Sequence, residues 1–210
     1  MTTIKLVVFD CDGVMFDSRE ANREYYNHVL AHFGHPPMNE AELDYVHMHH
    51  VADSISHIFR HWPAELVAAE AYRRQVDYTP FLKYMIMEPD LREFLDFLRP
   101  GRKTAISTNR TTTMPLVLSM FGLAECFDQV VTALDVSRPK PHPEALHRIL
   151  GHFELAPADT VYIGDSQVDR EHTAAAGIPL IAFKNPALAA EYHVSSFMEI
   201  AGLPLFRHAT

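Results

Sequence analysis

Apolar residues recur along this chain in two rhythms. Short, nearly continuous apolar runs rich in β-branched residues occur at Ile4–Phe9, Thr104–Ser107, Gln129–Thr132, Thr160–Ile163 and Pro179–Phe183. Runs of that length and composition predict strands of a parallel sheet buried on both faces. Between them the spacing becomes helical. Leu91, Phe94, Leu95 and Leu98 share one face of a turn-by-turn pattern. Pro143 suits the first position of a helix over Glu144–Phe153, and Gly177 suits the residue just past a helix ending at Ala176. Strands alternating with helices predict an α/β fold with a parallel sheet.

Residues 18–87 break that alternation. They read as helices over about Arg19–Phe33, Asn39–His47, Val51–Arg60 and Ala64–Tyr78, with Asn39 and Glu42 spaced as a capping box. The predicted organisation is one core from residues 1–17 and 88–210, with 18–87 inserted as a helical block.

Composition narrows the functional classes. With 210 residues, 48% of them hydrophobic, the chain can bury a sizeable core without staples. Its formal charge is -9, and no basic run interrupts the acidity, which argues against a nucleic-acid surface. No apolar run approaches membrane-spanning length. The two cysteines, Cys11 and Cys126, form no CxxC, as expected in a reducing cytoplasm. The sequence does not set an oligomeric state.

Ligands in an open parallel sheet gather beyond the carboxyl ends of its strands. The predicted strand ends carry Asp10 and Asp12, then Thr108 and Asn109, then Asp165 with Asp169 one helical turn on. A loop adds Lys140 within Arg138-Pro139-Lys140-Pro141. Carboxylates crowded on one rim repel unless a cation sits among them. Asp10, Asp12 and Asp165 supply hard oxygens, too few for a closed cage, which suits Mg2+ completed by water and phosphate.

In order, Asp10-Cys11-Asp12-Gly13-Val14, Thr108, Lys140 and Gly164-Asp165-Ser166-Gln167-Val168-Asp169 match four motifs. With them the chain resembles the haloacid dehalogenase (HAD) superfamily, in its phosphoglycolate phosphatase and β-phosphoglucomutase-like subgroup. The resemblance implies a Rossmann-like core with helices on both faces and residues 18–87 as an early helical cap. It implies a Mg2+-dependent phosphatase acting on a small phosphorylated metabolite. Asp10 is then the nucleophile that becomes an aspartyl-phosphate, and Asp12 the general acid and base. Thr108, Asn109 and Lys140 hold the phosphoryl group. Asp10, the main-chain carbonyl of Asp12, and Asp165 hold the metal, with Asp169 orienting a metal-bound water. A phosphomutase shares all these core residues and is the alternative. A non-catalytic protein on this fold would be expected to have lost Asp10, Asp12 or Lys140.

Other residues have competing readings. Thr108-Asn109 also suits a cap for a helix from Thr111, and Asp165 a cap for the helix after it. Arg110 reads equally as a substrate contact or a rim arginine. His47, His49, His50, His57 and His61 read as surface histidines, although His57 and His61 have metal-ligand spacing. Trp62, Tyr72, Tyr78, Phe81 and Tyr84 read as packing. Arg23, Arg60, Arg73 and Arg74 are candidates for a second anionic group on the substrate, and Cys11 for a small buried side chain.

Overall fold

The computed structural model describes residues 4–48 and 51–206. His49 and His50, named above, lie outside them. The chain divides into two compact units, one of Met1–Asp17 with Met87–Thr210 and one of Ser18–Ile86.

The larger unit is built on six parallel strands: β1 (Leu6–Phe9), β2 (Lys103–Ser107), β3 (Gln129–Val131), β4 (Thr160–Gly164), β5 (Leu180–Phe183) and β6 (Tyr192–Val194), in the order β3-β2-β1-β4-β5-β6. The last was not legible in the sequence. Tyr192-His193-Val194 is three residues long at a sheet edge, too short to leave a period. β1, β2, β4 and β5 are almost wholly buried, which is why they read as continuous apolar runs.

Alternation along β1 splits the core in two. Leu6 and Val8 join Ala105, Tyr162 and Leu180 in a cluster with Leu146, Ile149 and Leu150 of the helix Glu144–Phe153. Phe9 belongs to an aromatic group with Phe94, Phe127 and Phe197, at centroid distances of 6.1, 5.5 and 5.9 Å. Phe94 comes from the helix Leu91–Leu98, whose buried residues are the four that the periodicity marks.

Local details differ from the sequence reading in instructive ways. Pro143 is the residue before the helix rather than its first residue. The helix after β4 runs Gln167–Ala176 and is capped by Ser166, not Asp165. Gly177 closes it with φ 69°. The helix after β2 begins only at Met114, with Thr113 before it. Thr108-Asn109 therefore caps nothing.

The second unit holds helices Arg19–His32, Glu40–Met48, Val51–Ile58 and Leu66–Arg73, followed by a 3-10 segment Thr79–Tyr84. Asn39 and Glu42 do exchange hydrogen bonds, each side chain accepting at 3.0 Å from the other's main-chain N–H. The fourth helix is shorter than the pattern suggested, because Pro63 opens a separate 3-10 turn and the helix stops at Arg73. Its core is Tyr25, Tyr26, Val29, Leu30, Leu43, Ile55, Ile58 and Phe59, with Trp62, Tyr72, Tyr78 and Phe81 packed against it.

Phe94→Ala should cost about 3–5 kcal/mol, since it removes a fully buried ring from the aromatic group and leaves a cavity. The shift in the midpoint of urea unfolding, relative to wild type, measures it.

Candidate active site

Sheet register assembles the site. Phe9 pairs with Ile106 on one side and Ile163 on the other, so the three central strands end level. Asp10 continues the ladder, its N–H bonding to the Ile163 carbonyl at 2.9 Å. Thr108 does likewise with Val131 at 3.1 Å. Asp10, Thr108 and Asp165 thus each leave the end of a strand at one rim.

Two glycines allow the loops to close. Gly13 has φ 79°, and a Cβ there would lie 2.0 Å from the Asp165 carboxylate. A Cβ on Gly164 would lie 2.6 Å from the Asp169 Cβ. Side chains at either position would push the carboxylates apart.

At the centre sits Lys140, 7% exposed, after which the peptide bond to Pro141 is cis. Its Nζ donates to Asp10 Oδ1 at 2.8 Å, to Asp169 Oδ1 at 2.7 Å and to the Tyr162 hydroxyl at 3.0 Å. Burial opposes its charge, but Asp10 and Asp169 outweigh this and keep the ammonium protonated. Oxygens of Asp10, Asp165 and Asp169 lie within 4.8 Å of one another, the one such cluster among the described residues.

These carboxylates respond differently to their surroundings. Burial pushes Asp10 up to about 7, against the attraction of Lys140 and with the repulsion of Asp169. Burial and then repulsion from Asp10 and Asp169 push Asp165 up to about 8. Asp169 goes the other way. Burial raises it, but Lys140 and hydrogen bonds from Ser166 and Tyr162 hold it below the ordinary carboxylate range. Its Oδ2 accepts from the Ser166 hydroxyl at 2.7 Å, and its main-chain N–H donates back to Ser166 Oγ in a capping box.

The structure places the remaining expected residues as follows. The Thr108 hydroxyl accepts from the Arg110 N–H at 3.1 Å. Asn109 was grouped with the phosphate ligands, but its side chain has a different task. Its amide brackets Lys140, accepting from the Lys140 N–H at 3.0 Å and donating to the Lys140 carbonyl at 3.2 Å. Asp12 turns its carboxylate to Arg110, whose Nε and terminal nitrogen donate to its two oxygens at 2.7 and 2.6 Å. Of the two readings of Arg110, neither named this partner. Cys11 is fully buried, and burial keeps its thiol protonated.

Sequence reading missed Tyr162, Ser107 and His172. The Ser107 hydroxyl meets His172 Nε2 at 3.0 Å, and His172 Nδ1 meets the His142 carbonyl at 2.8 Å. Burial drops His172 to about 4, so it is neutral. The available signal was a tyrosine inside an apolar strand, because a buried phenol needs a partner.

In the helical unit the candidate arginines have acidic partners. Arg23 meets Glu20 and Glu40, Arg60 meets Glu42, and Arg73 and Arg74 meet Glu70. His57 stacks on Tyr45 at 3.8 Å.

Comparison with known proteins finds relatives over most of the chain. A phosphoglycolate phosphatase of Yersinia pseudotuberculosis is 30% identical over 187 residues, covering 85% of this chain and 80% of that one. The pyrophosphatase PpaX of Bacillus pumilus is 26% identical over 183 residues, covering 84% and 81%. The crystal structure of a HAD-superfamily hydrolase, subfamily IA, variant 1, from Geobacter sulfurreducens has a TM-score of 0.82 at 39% identity, over 95% of both chains. A family profile described as haloacid dehalogenase-like hydrolase matches residues 7–183. The chain belongs to the haloacid dehalogenase-like hydrolases.

Proposed function

We propose that this enzyme is a Mg2+-dependent phosphatase for a small phosphorylated metabolite, working through an aspartyl-phosphate on Asp10. The observation that carries this reading is the Lys140 ammonium on Asp10 Oδ1, with Asp165 and Asp169 beside it. Phosphatase names among the relatives, phosphoglycolate phosphatase and pyrophosphatase, support the substrate class. Two free cysteines, Cys11 and Cys126, suit a cytoplasmic location, and no helix among the described residues is long and apolar enough to cross a membrane.

The residues fit a hard divalent cation. Asp10, buried, and Asp165, half-buried, are both pushed up by burial and by neighbouring aspartates, so a cation would favour them in ionised form. Asp169 is a poorer ligand, its oxygens being taken by Lys140, Tyr162 and Ser166. Asp10 and Asp165 would hold the metal, with the Asp12 carbonyl as the third protein ligand. Bound there, it would neutralise phosphoryl charge and help keep Asp10 ionised.

The chain's own residues then divide the work. An Asp10 oxygen attacks phosphorus in line as the bond to the leaving oxygen breaks. Lys140 offsets the charge carried by the phosphoryl oxygens. Thr108 stands at the same rim to receive one of them. Asp12 protonates the leaving oxygen, then takes a proton from the water that cleaves the aspartyl-phosphate. Both Asp12 oxygens are engaged by Arg110. Each oxygen keeps a second lone pair for the transferred proton, and the guanidinium fixes the direction the carboxyl faces.

Three outcomes are expected. Phosphate release from a panel of phosphorylated metabolites, including phosphoglycolate and pyrophosphate, should require Mg2+, stop with chelator, and vanish in Asp10→Asn. Wild-type turnover by a clean Asp10→Asn preparation refutes the covalent mechanism, and isomerised sugar phosphates without phosphate release identify a mutase. Asp12→Asn should lose roughly 100-fold or more in kcat on alkyl phosphates but much less on p-nitrophenyl phosphate, whose leaving group needs no proton. The third concerns pH. With chelator present, the folded state keeps protons on Asp10 and Asp165 that the unfolded chain releases at ordinary carboxylate pH. Their contribution is complete below the unfolded value and is lost as pH rises through about 7 and 8. His172 opposes this less and less above pH ~6.5, because it is neutral in the fold and the unfolded imidazole is losing its own proton there. The melting temperature in chelator should thus fall from pH ~6.5 to ~8.5, and Mg2+ should flatten that fall; a chelated protein that gains stability over the range contradicts the assignment.

A further inference from the structure

Tyr162 occupies the middle of β4, where every neighbour along the strand is buried. Its ring packs with Leu6, Val8 and Ala105, and meets the His172 ring edge-on at 5.8 Å. For those contacts alone a phenylalanine would serve, and would not bury a hydroxyl. The hydroxyl instead lies 3.0 Å from each of three groups: Lys140 Nζ, Asp169 Oδ1 and the Ser107 carbonyl. Those three belong to different parts of the site. Ser107 precedes Thr108, Lys140 carries the ammonium, and Asp169 stands on the helix after β4.

An ammonium has three N–H donors. Those of Lys140 find three acceptors, Asp10, Asp169 and Tyr162. Two are carboxylates and the third is a neutral oxygen. On the phosphatase reading, Asp10 changes during the reaction, because one of its oxygens becomes the acyl phosphate linkage. Asp169 and Tyr162 do not change. They are the anchors that keep the ammonium aimed while charge passes from Asp10 to the phosphoryl oxygens. The phenol donates its single O–H to either the Ser107 carbonyl or Asp169, so the anchor is itself held.

We propose that Tyr162 is a positioning residue for phosphoryl transfer, its hydroxyl fixing the Lys140 ammonium against the nucleophile and joining the segments that carry Thr108, Lys140 and Asp169. The inference rests on the phosphatase reading and adds a residue to it. Without the hydroxyl, a buried N–H of Lys140 loses its acceptor, and the ammonium settles between the two carboxylates rather than toward the phosphoryl group.

The test uses the full chain with Mg2+ and compares wild type, Tyr162→Phe, Lys140→Met and the double variant. Tyr162→Phe keeps the ring and its packing. Its kcat should fall roughly 10- to 100-fold with KM changed less than about threefold. Inhibition by orthovanadate, which imitates the five-coordinate phosphoryl group, should weaken by a similar factor, while inhibition by inorganic phosphate should hardly move. An inhibition constant does not depend on the fraction of molecules folded, so partial misfolding cannot imitate this result. In the Lys140→Met background, Tyr162→Phe should add little, because the phenol acts through the ammonium. An unchanged kcat, a fall in kcat with vanadate inhibition intact, or a full further loss in the Lys140→Met background would each overturn the proposal. Wild-type enzyme that vanadate does not inhibit, together with Lys140→Met at full turnover, would instead refute the phosphoryl-transfer reading and the Tyr162 assignment with it.

Discussion

One buried cation organises the larger unit. Lys140 brings a positive charge to a place where Asp10, Asp165 and Asp169 converge, and a charge taken from water needs compensation close at hand. The ammonium has a full set of acceptors, yet three carboxylates still outnumber it. Burial first, and then the neighbouring negative charge, weaken the acidities of Asp10 and Asp165. Asp169 escapes because donors surround it. On the proposed reading, the same arrangement would take a divalent cation among the three carboxylates.

Much nearby structure serves to hold that lysine. Asn109 grips its main chain at both ends, so its position is set by the loop after β2 as well as by its own. His172 braces Ser107 and the His142 carbonyl. Being neutral, it adds no second positive charge beside the ammonium. Ser166 caps its helix while donating to Asp169, so one residue ends the strand-to-helix turn and fixes a carboxylate. Backbone geometry matters as much as charge. The carboxylates approach only because Gly13 and Gly164 have no side chains to separate them.

Asp12 illustrates how one neighbour changes a residue's chemistry. As the second aspartate of a short turn, it reads as the partner of Asp10. In the folded protein it is the partner of Arg110, held by both oxygens in a geometry that a guanidinium favours. The arginines of the helical unit follow a milder version of this rule. Each has an acidic partner, and in several of those pairs one member is exposed to water, which weakens the pair.

The sequence by itself determined the parallel sheet, five of its six strands, the helical block, which acids lie at strand ends, and the loop lysine that joins them. These follow from periodicity and from short-range turn chemistry, both of which a one-dimensional string preserves. The buried face of Leu91–Leu98 was legible to the residue for that reason. Tertiary structure alone decided what the polar side chains of the site touch. Asn109 and Lys140 lie 31 positions apart, Tyr162 and Ser107 55, and Asp12 and Arg110 98. Such partners are set by strand register and by the need to satisfy buried donors and acceptors. That constraint exists only once the strands are side by side.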